Sequence, residues 1–455
     1  MKIALAAAAA VLIALVAVLV LPGGTTREPA PPALAVGAPA GAAVRIGRDP
    51  VGLSIEYQLL AHDLGPAPCP PPALVAAIAA LGEPTLRIGG DSQDETAPAG
   101  TPAQPGVSDL PPGFWSRLRC LERETRVPVV VGLNVASDQP AWAATLAADA
   151  RSAVPAARLS FELGNEPDIY GVHVPWWNGR ALVHAPMPFA TYLRRARAVE
   201  AELPPGSTVE GPDFASGRWI STVPLLVRTL HLGRLDAHFY PLDACRRTAG
   251  ATTAALLSRG VQEKLDERVH LARDARAAGL EAVISETNSI SCGGVRGVSD
   301  SPAAAVWGVR LVLGALRDGF ASVRFHSSGG AYDPFVVRGR TVVLRPLYAG
   351  MRALVGLLPR GATLRAIPGA AAALDAVAIA APRGRSRTIV LSNYSPAPLA
   401  VSVAARGTAR VLSVIARAPT VVRSAVTAAP GGRARVELPG DSVVAITSAQ
   451  PGAST

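Results

Sequence analysis

Lysine is nearly missing from this chain: Lys2 and Lys264 are the only two, and arginine carries almost all the positive charge behind a net +10. No basic run interleaved with aromatics accompanies that charge, which argues against a nucleic-acid surface. Beside so much Ala, Gly and Pro the arginine skew reads as codon-usage bias. A basic surface would still favour an acidic polymer weakly. Charged residues reach only 17% and apolar ones 49%, which excludes a disordered chain and describes a large core. There is no CxxC and no Cys/His cluster, so no metal site is read and no cofactor is implied. Cysteines are few, but Cys69, Cys120, Cys245 and Cys292 fit an oxidising compartment, with three pairings open.

Apolar sequence is concentrated at the start. Lys2 precedes an unbroken apolar run, 3–21, and then Pro22-Gly23-Gly24, the pattern of a charged n-region with an h-region. The run is long for a signal peptide and close to a bilayer-spanning length, and no small-x-small site follows it directly. Residues 1–24 are therefore expected as a signal peptide or an uncleaved anchor. Either way the body is exported, and membrane contact is expected only through that segment. Residues 25–45 read as a Pro/Ala-rich linker, with 35–46 a candidate extra strand for the C-terminal domain.

With 455 residues the chain suits a barrel of ~250 residues plus a smaller partner. Strand-like runs recur at 51–58, 85–90, 127–134, 158–166, 208–213, 235–240, 281–288 and 322–327. Helical patterns follow them at 72–81, 112–126, 139–154, 189–203, 217–232, 261–278, 302–318 and 346–357. Strands alternating with helices indicate parallel βα units. Eight units close most economically as an α/β (β/α)8 TIM barrel over 46–357, with an open doubly wound sheet as the alternative. From 358 to 455 short Val/Ala/Leu runs alternate with turn residues, which reads as a C-terminal all-β sandwich.

A barrel keeps its chemistry at the C-terminal tips of the strands. The fourth run ends in Gly164, Asn165, Glu166 and Pro167. Proline disfavours the α region in the residue before it, so Glu166 is expected to be extended. An ordinary strand end followed by a turn reads the same residues equally well. Period-two alternation puts Ser54 with Glu56, Glu162 with Gly164 and Glu166, and Asp236 with His238 and Tyr240 on shared faces. Glu162, below the tip, is expected as a buried partner of Arg87 or Arg324, and His238 alone would pass for a satisfied core histidine. Convergence of polar groups at one end favours function. Glu166 and Glu286, on strands four and seven, are the two carboxyl groups that glycoside hydrolysis needs on either side of a bond.

These residues carry a resemblance. Segments 86–92 (LRIGGDS), 162–168 (ELGNEPD), 285–294 (SETNSISCGG) and 327–335 (SSGGAYDPF) resemble glycoside hydrolase family 79, the β-glucuronidase and heparanase family of a retaining TIM-barrel clan. The resemblance runs from about residue 51 to the C-terminus. It implies Glu166 as acid/base, Glu286 as nucleophile and Asn165 as the contact to the sugar 2-OH. His238 and Tyr240 match the clan's His-x-Tyr pair, while Glu56, Asp91, Tyr332, Gly293 and Gly294 become candidate substrate contacts. Asp91 stands where that family's common form has asparagine, which bears on fine specificity. The resemblance also places Cys245 and Cys292 in neighbouring loops after strands six and seven, and implies Cys245–Cys292 with Cys69–Cys120. The expected activity is exo-hydrolysis of terminal β-linked glucuronic acid from a β-glucuronide or other acidic glycan. The alternatives are a β-xylosidase, an endo-acting acidic-glycan hydrolase, and, from another class, a non-catalytic surface carbohydrate-binding protein.

Overall fold

The protein is described here by a computed structural model covering residues 33–449 except 103, 370 and 385. The expected leader or anchor (1–24), the first part of the linker (25–32) and the tail (450–455) lie outside the described residues. Among the described residues no helix is long and apolar enough to cross a membrane.

Eight parallel strands close into a barrel: Val51–Ile55, Leu86–Ile88, Val129–Leu133, Leu159–Leu163, Thr208–Phe214, Leu232–Phe239, Glu281–Thr287 and Phe320–Ser327. They are called first to eighth below. The eighth pairs with the first, Val323 opposite Val51, which excludes the open-sheet alternative. The third strand, VVVGL, is buried throughout, as expected of a parallel strand covered on both faces.

Some element boundaries differ from expectation. The first strand stops at Ile55, and Tyr57–Leu64 is a helix that buries Tyr57, Leu60 and Leu64 at helical spacing. Glu56 is thus the residue before that helix, not a strand residue sharing a face with Ser54. The helix expected at 217–232 is a 3-10 turn, Ile220–Thr222, plus Val223–Thr229, because the sixth strand already begins at Leu232. The pattern at 261–278 breaks into Arg259–Asp266 and Val269–Ala277.

The C-terminal part is a sandwich of a seven-stranded and a three-stranded sheet. Ala40–Arg45 pairs antiparallel with Thr363–Ala366 in the larger sheet, and Leu34–Ala35 pairs with Leu399–Ala404 in the smaller. Helix Pro302–Asp318 lies between barrel and sandwich. Pro302 starts it and Gly319, at φ 100°, ends it in the left-handed conformation that glycine adopts without penalty. Its residues 303–316 are all buried, because one side meets the eighth strand and the other the larger sheet.

Candidate active site

The tip of the fourth strand is built differently from a simple extension. The strand ends at Leu163, Gly164 turns with φ 82°, and Glu166 sits at φ 52°, ψ 46°. Glu166 is therefore left-handed, not extended. Proline disfavours the right-handed α region for its predecessor, and the chain satisfies that restriction in the left-handed one. A Cβ at Gly164 would lie 2.5 Å from the Tyr170 hydroxyl and 3.2 Å from Val135 Cβ, so only glycine fits the turn. Asp94 fixes it from below: its carboxylate accepts the backbone N–H of Asn165 (2.8 Å), Val135 (2.9 Å) and Ala136 (3.1 Å). Burial pushes the Asp94 carboxyl up to about 6. Glu162 stays in the strand, facing the barrel interior.

Glu166 and Glu286 meet above this floor. One carboxylate oxygen of each lies within 4.8 Å of the other, and a His238 ring nitrogen lies within the same distance of both. His238 Nδ1 is 2.8 Å from Glu166 Oε1 and 3.8 Å from Glu286 Oε1, and Nε2 is 3.4 Å from Asp213 Oδ1. The imidazole is buried and faces carboxylates on both sides, so both its ring nitrogens already lie against acids. Tyr240 Oη donates to Glu286 Oε1 at 2.8 Å.

The environments push the two carboxyls apart. Burial, with the negative charges of Glu286 and Asp91, holds Glu166 above the usual carboxylate range despite its bond to His238. Burial acts the same way on Glu286, but His326, His238 and Arg87, helped by the Tyr240 hydroxyl, outweigh it and bring it down to about 2. The two carboxyls are thus driven in opposite directions, Glu166 toward holding its proton and Glu286 toward losing it.

Arg87 ties the floor together. Its Nε and Nη2 donate to Glu162 at 2.7–2.9 Å. Nη2 also donates to Asn165 Oδ1 (2.9 Å) and Asp213 Oδ2 (2.8 Å), and Nη1 to Ser54 Oγ (2.9 Å) and Glu286 Oε2 (2.7 Å). The partner of Glu162 is therefore Arg87. Arg324 instead pairs with Glu210 at 2.7 Å. Asp213 was missed from sequence, as were Asp94 and the role of His326, whose Nδ1 is 3.3 Å from Glu286 Oε2 and whose Nε2 is 3.3 Å from Glu56 Oε1.

The remaining candidates divide. Asn165 is buried, with its amide between Arg87 and Asp91 (3.3 Å), which leaves one Nδ2 hydrogen free of Asp91. Asp91, at the rim, pairs with His173 at 3.1 Å, and that hydrogen bond pushes His173 up to about 9. Glu56 holds the start of helix Asp91–Asp94, accepting the N–H of Asp91 (3.2 Å) and Ser92 (2.9 Å), a supporting task and not a free contact. Tyr332 stands beside the site, its ring 6.4 Å from Tyr240 and 6.0 Å from His326. Gly293 O accepts the Ala331 N–H at 2.6 Å, and a Cβ on Gly330 would fall 2.3 Å from that oxygen, so the loops after strands seven and eight touch through glycine backbone. The structure joins Cys245–Cys292, bracing this loop, and Cys69–Cys120.

Glu166, His238 and Glu286 are close enough to share a cation, as are Glu162, Asp213 and Asp236 beneath them. At both places Arg87 or His238 already sets positive charge among the carboxylates.

No protein-family model and no curated protein sequence matches the chain. Solved structures do. A crystal structure of a 4-O-α-L-rhamnosyl-β-D-glucuronidase from Fusarium oxysporum 12S superposes with a TM-score of 0.69 at 17% identity, covering 90% of this chain and 98% of that one. The GH51 arabinofuranosidase from Xanthomonas axonopodis pv. citri gives 0.65 at 16%, covering 90% and 97%. The catalytic domain of GH30 xylanase C from Talaromyces cellulolyticus gives 0.56 at 13%, covering 91% and 99%. At these identities the likeness establishes the fold, a TIM barrel with an attached β-sandwich.

Proposed function

We propose that the protein is an exported retaining exo-β-glycosidase that releases terminal β-linked glucuronic acid. The observation that carries this reading is the pair Glu166 and Glu286, with oxygens within 4.8 Å and protonation preferences driven in opposite directions. Carboxyl groups ~5–5.5 Å apart act by double displacement, whereas wider spacing leaves room for a water between them.

Ionised Glu286 attacks the anomeric carbon while Glu166 gives its proton to the departing glycosidic oxygen, forming a glycosyl ester on Glu286. Glu166, now a carboxylate, takes a proton from water, whose oxygen attacks the same carbon and releases Glu286. His238 Nδ1 donating to Glu166 Oε1 keeps the acidic proton on the other oxygen. Tyr240 and Arg87 hold one oxygen of Glu286 each. The free Nδ2 hydrogen of Asn165 is assigned to the sugar 2-OH, and Tyr332 with the Gly293–Gly294 backbone to the uronic carboxylate. Likeness to a structure named as a β-D-glucuronidase supports the sugar. The two disulfides support export. A non-catalytic binding protein would have no need of two carboxyls poised in this way.

A panel of aryl β-glucuronide, β-xyloside and α-L-arabinofuranoside tests the sugar, and hydrolysis of either pentoside without the glucuronide rejects it. Activity should need ionised Glu286 and protonated Glu166. The profile of kcat/KM is therefore expected to rise through about pH 2 and to fall only above the ordinary carboxylate range, as Glu166 loses its proton. An acid limb above pH 5 in a stopped assay would contradict Glu286 as nucleophile. Glu166→Gln should slow substrates with poor leaving groups by ~10²–10⁴-fold. It should largely spare the first step for a dinitrophenyl glycoside, whose leaving oxygen needs no proton. Equal losses on both substrates would remove the acid role.

A further inference from the structure

Where the larger sandwich sheet meets the barrel it is apolar, and Val377, Val390, Val414, Val443 and Ala445 join the barrel's core. At one end of the same face polar and charged residues join the apolar ones. Ile379, Thr388, Thr447 and Arg410 lie directly opposite one another on four neighbouring strands, and Leu412 lies opposite Arg423 on the next pair. Directly opposed residues project to one side of a sheet. Between this row and the end of helix Pro346–Leu357 opens a cavity of about 390 Å³, with Arg352 on the helix wall. Three arginines line it and no acidic residue does. Among the described residues none of the three is in an ion pair, and all three are exposed.

Three like charges around one concavity repel each other and raise the local positive potential, a cost that an anion filling the space removes. Guanidinium forks match planar carboxylate and tetrahedral sulfate oxygens. The hydroxyls of Thr388 and Thr447, hydrogen-bonded to each other at 2.9 Å, keep acceptor lone pairs for sugar hydroxyls, and Ile379 and Leu412 suit the C–H face of a ring. The volume falls in the ~300–1,000 Å³ range of small-molecule pockets. We propose that this cavity is a second, non-catalytic site that binds an anionic saccharide unit. It rests on the acidic-glycan reading of the cleft and would hold such a chain to the sandwich.

The test uses the full chain with Glu286→Gln, so that no ligand is turned over. It is titrated calorimetrically with a glucuronate tetrasaccharide, a sulfated disaccharide, neutral xylotetraose and inorganic phosphate, before and after Arg410→Ala with Arg423→Ala. An acidic saccharide is expected to bind with a component that the double substitution weakens about tenfold or more. The arm that binds tells carboxylate from sulfate. Arg410→Gln with Arg423→Gln, keeping side-chain length without charge, is expected to do the same. In the otherwise unchanged chain neither pair should alter turnover of a small aryl glucuronide. Unchanged saccharide affinity in both double variants overturns the site, as does phosphate binding as tightly as any saccharide. If arginine-dependent binding persists while no aryl glycoside is hydrolysed, the cleft reading falls and this one stands.

Discussion

Glu286→Gln is expected to lower kcat/KM for an aryl β-glucuronide by ~10⁴-fold or more while leaving the fold intact. The amide keeps the size of the carboxylate but cannot form the ester. Its oxygen can still accept from Arg87, and its NH₂ can donate to the Tyr240 hydroxyl, so no buried group is left alone. Loss of one negative charge is absorbed by the neighbouring imidazoles: Glu286 is among the charges that raise His238 and His326, and without it they titrate lower. A 2-fluoro glucuronide should label the wild-type chain on the peptide containing Glu286 and leave the variant unlabelled. Turnover within tenfold of wild type, or label on another carboxylate, would remove Glu286 from its role.

The eight-strand beat was legible because parallel strands buried on both faces write themselves as apolar runs, and Gly319 and Pro302 mark a helix's ends without tertiary help. The pair Glu166 and Glu286 was legible because each terminates such a run. The floor beneath them was not. Asp213 lies where the fifth strand slips register against the sixth, between Gly211 and Phe214, and its φ is 54°, so alternation does not locate its side chain. Asp94 belongs to a four-residue helix too short to show a period. Glu166 was given the wrong backbone region because the proline rule disfavours one basin without choosing between the others. Arg324 and Arg87 looked interchangeable as partners for Glu162. The register, with Glu162 opposite Glu210, supplies a second buried acid, and it is Glu210 that Arg324 meets. His326 could have been found, since it alternates with Arg324 on the eighth strand, but only closure against the first strand sets it beside Ser54 and Glu286.

Arg87→Met is expected to destabilise the protein by ~3–5 kcal/mol at neutral pH and to raise the acid limb of activity. The guanidinium is wholly buried among Glu162, Asp213 and Glu286. Two of those acids do not ionise alike: burial pushes Glu162 well up, whereas Arg87 and His238, against burial, hold Asp213 well below the ordinary carboxylate range. A depressed carboxyl stabilises the fold above its unfolded pKa, and that contribution is lost as pH falls through the folded one. Without Arg87 the Asp213 carboxyl rises toward its ordinary value, so the variant forfeits that contribution at pH 7, and the deficit narrows below about pH 4. Glu286 loses one of the cations that lower it, so the acid limb of kcat/KM should move upward from about 2. Arg87→Lys keeps the charge but not the fork, and should recover the acid limb better than the stability, because one ammonium cannot reach Glu162, Asp213, Asn165 and Glu286 together. Urea unfolding at pH 7 and pH 3 separates the causes. A deficit of equal size at both would assign the loss to packing and leave the charge of Arg87 without the role given to it here.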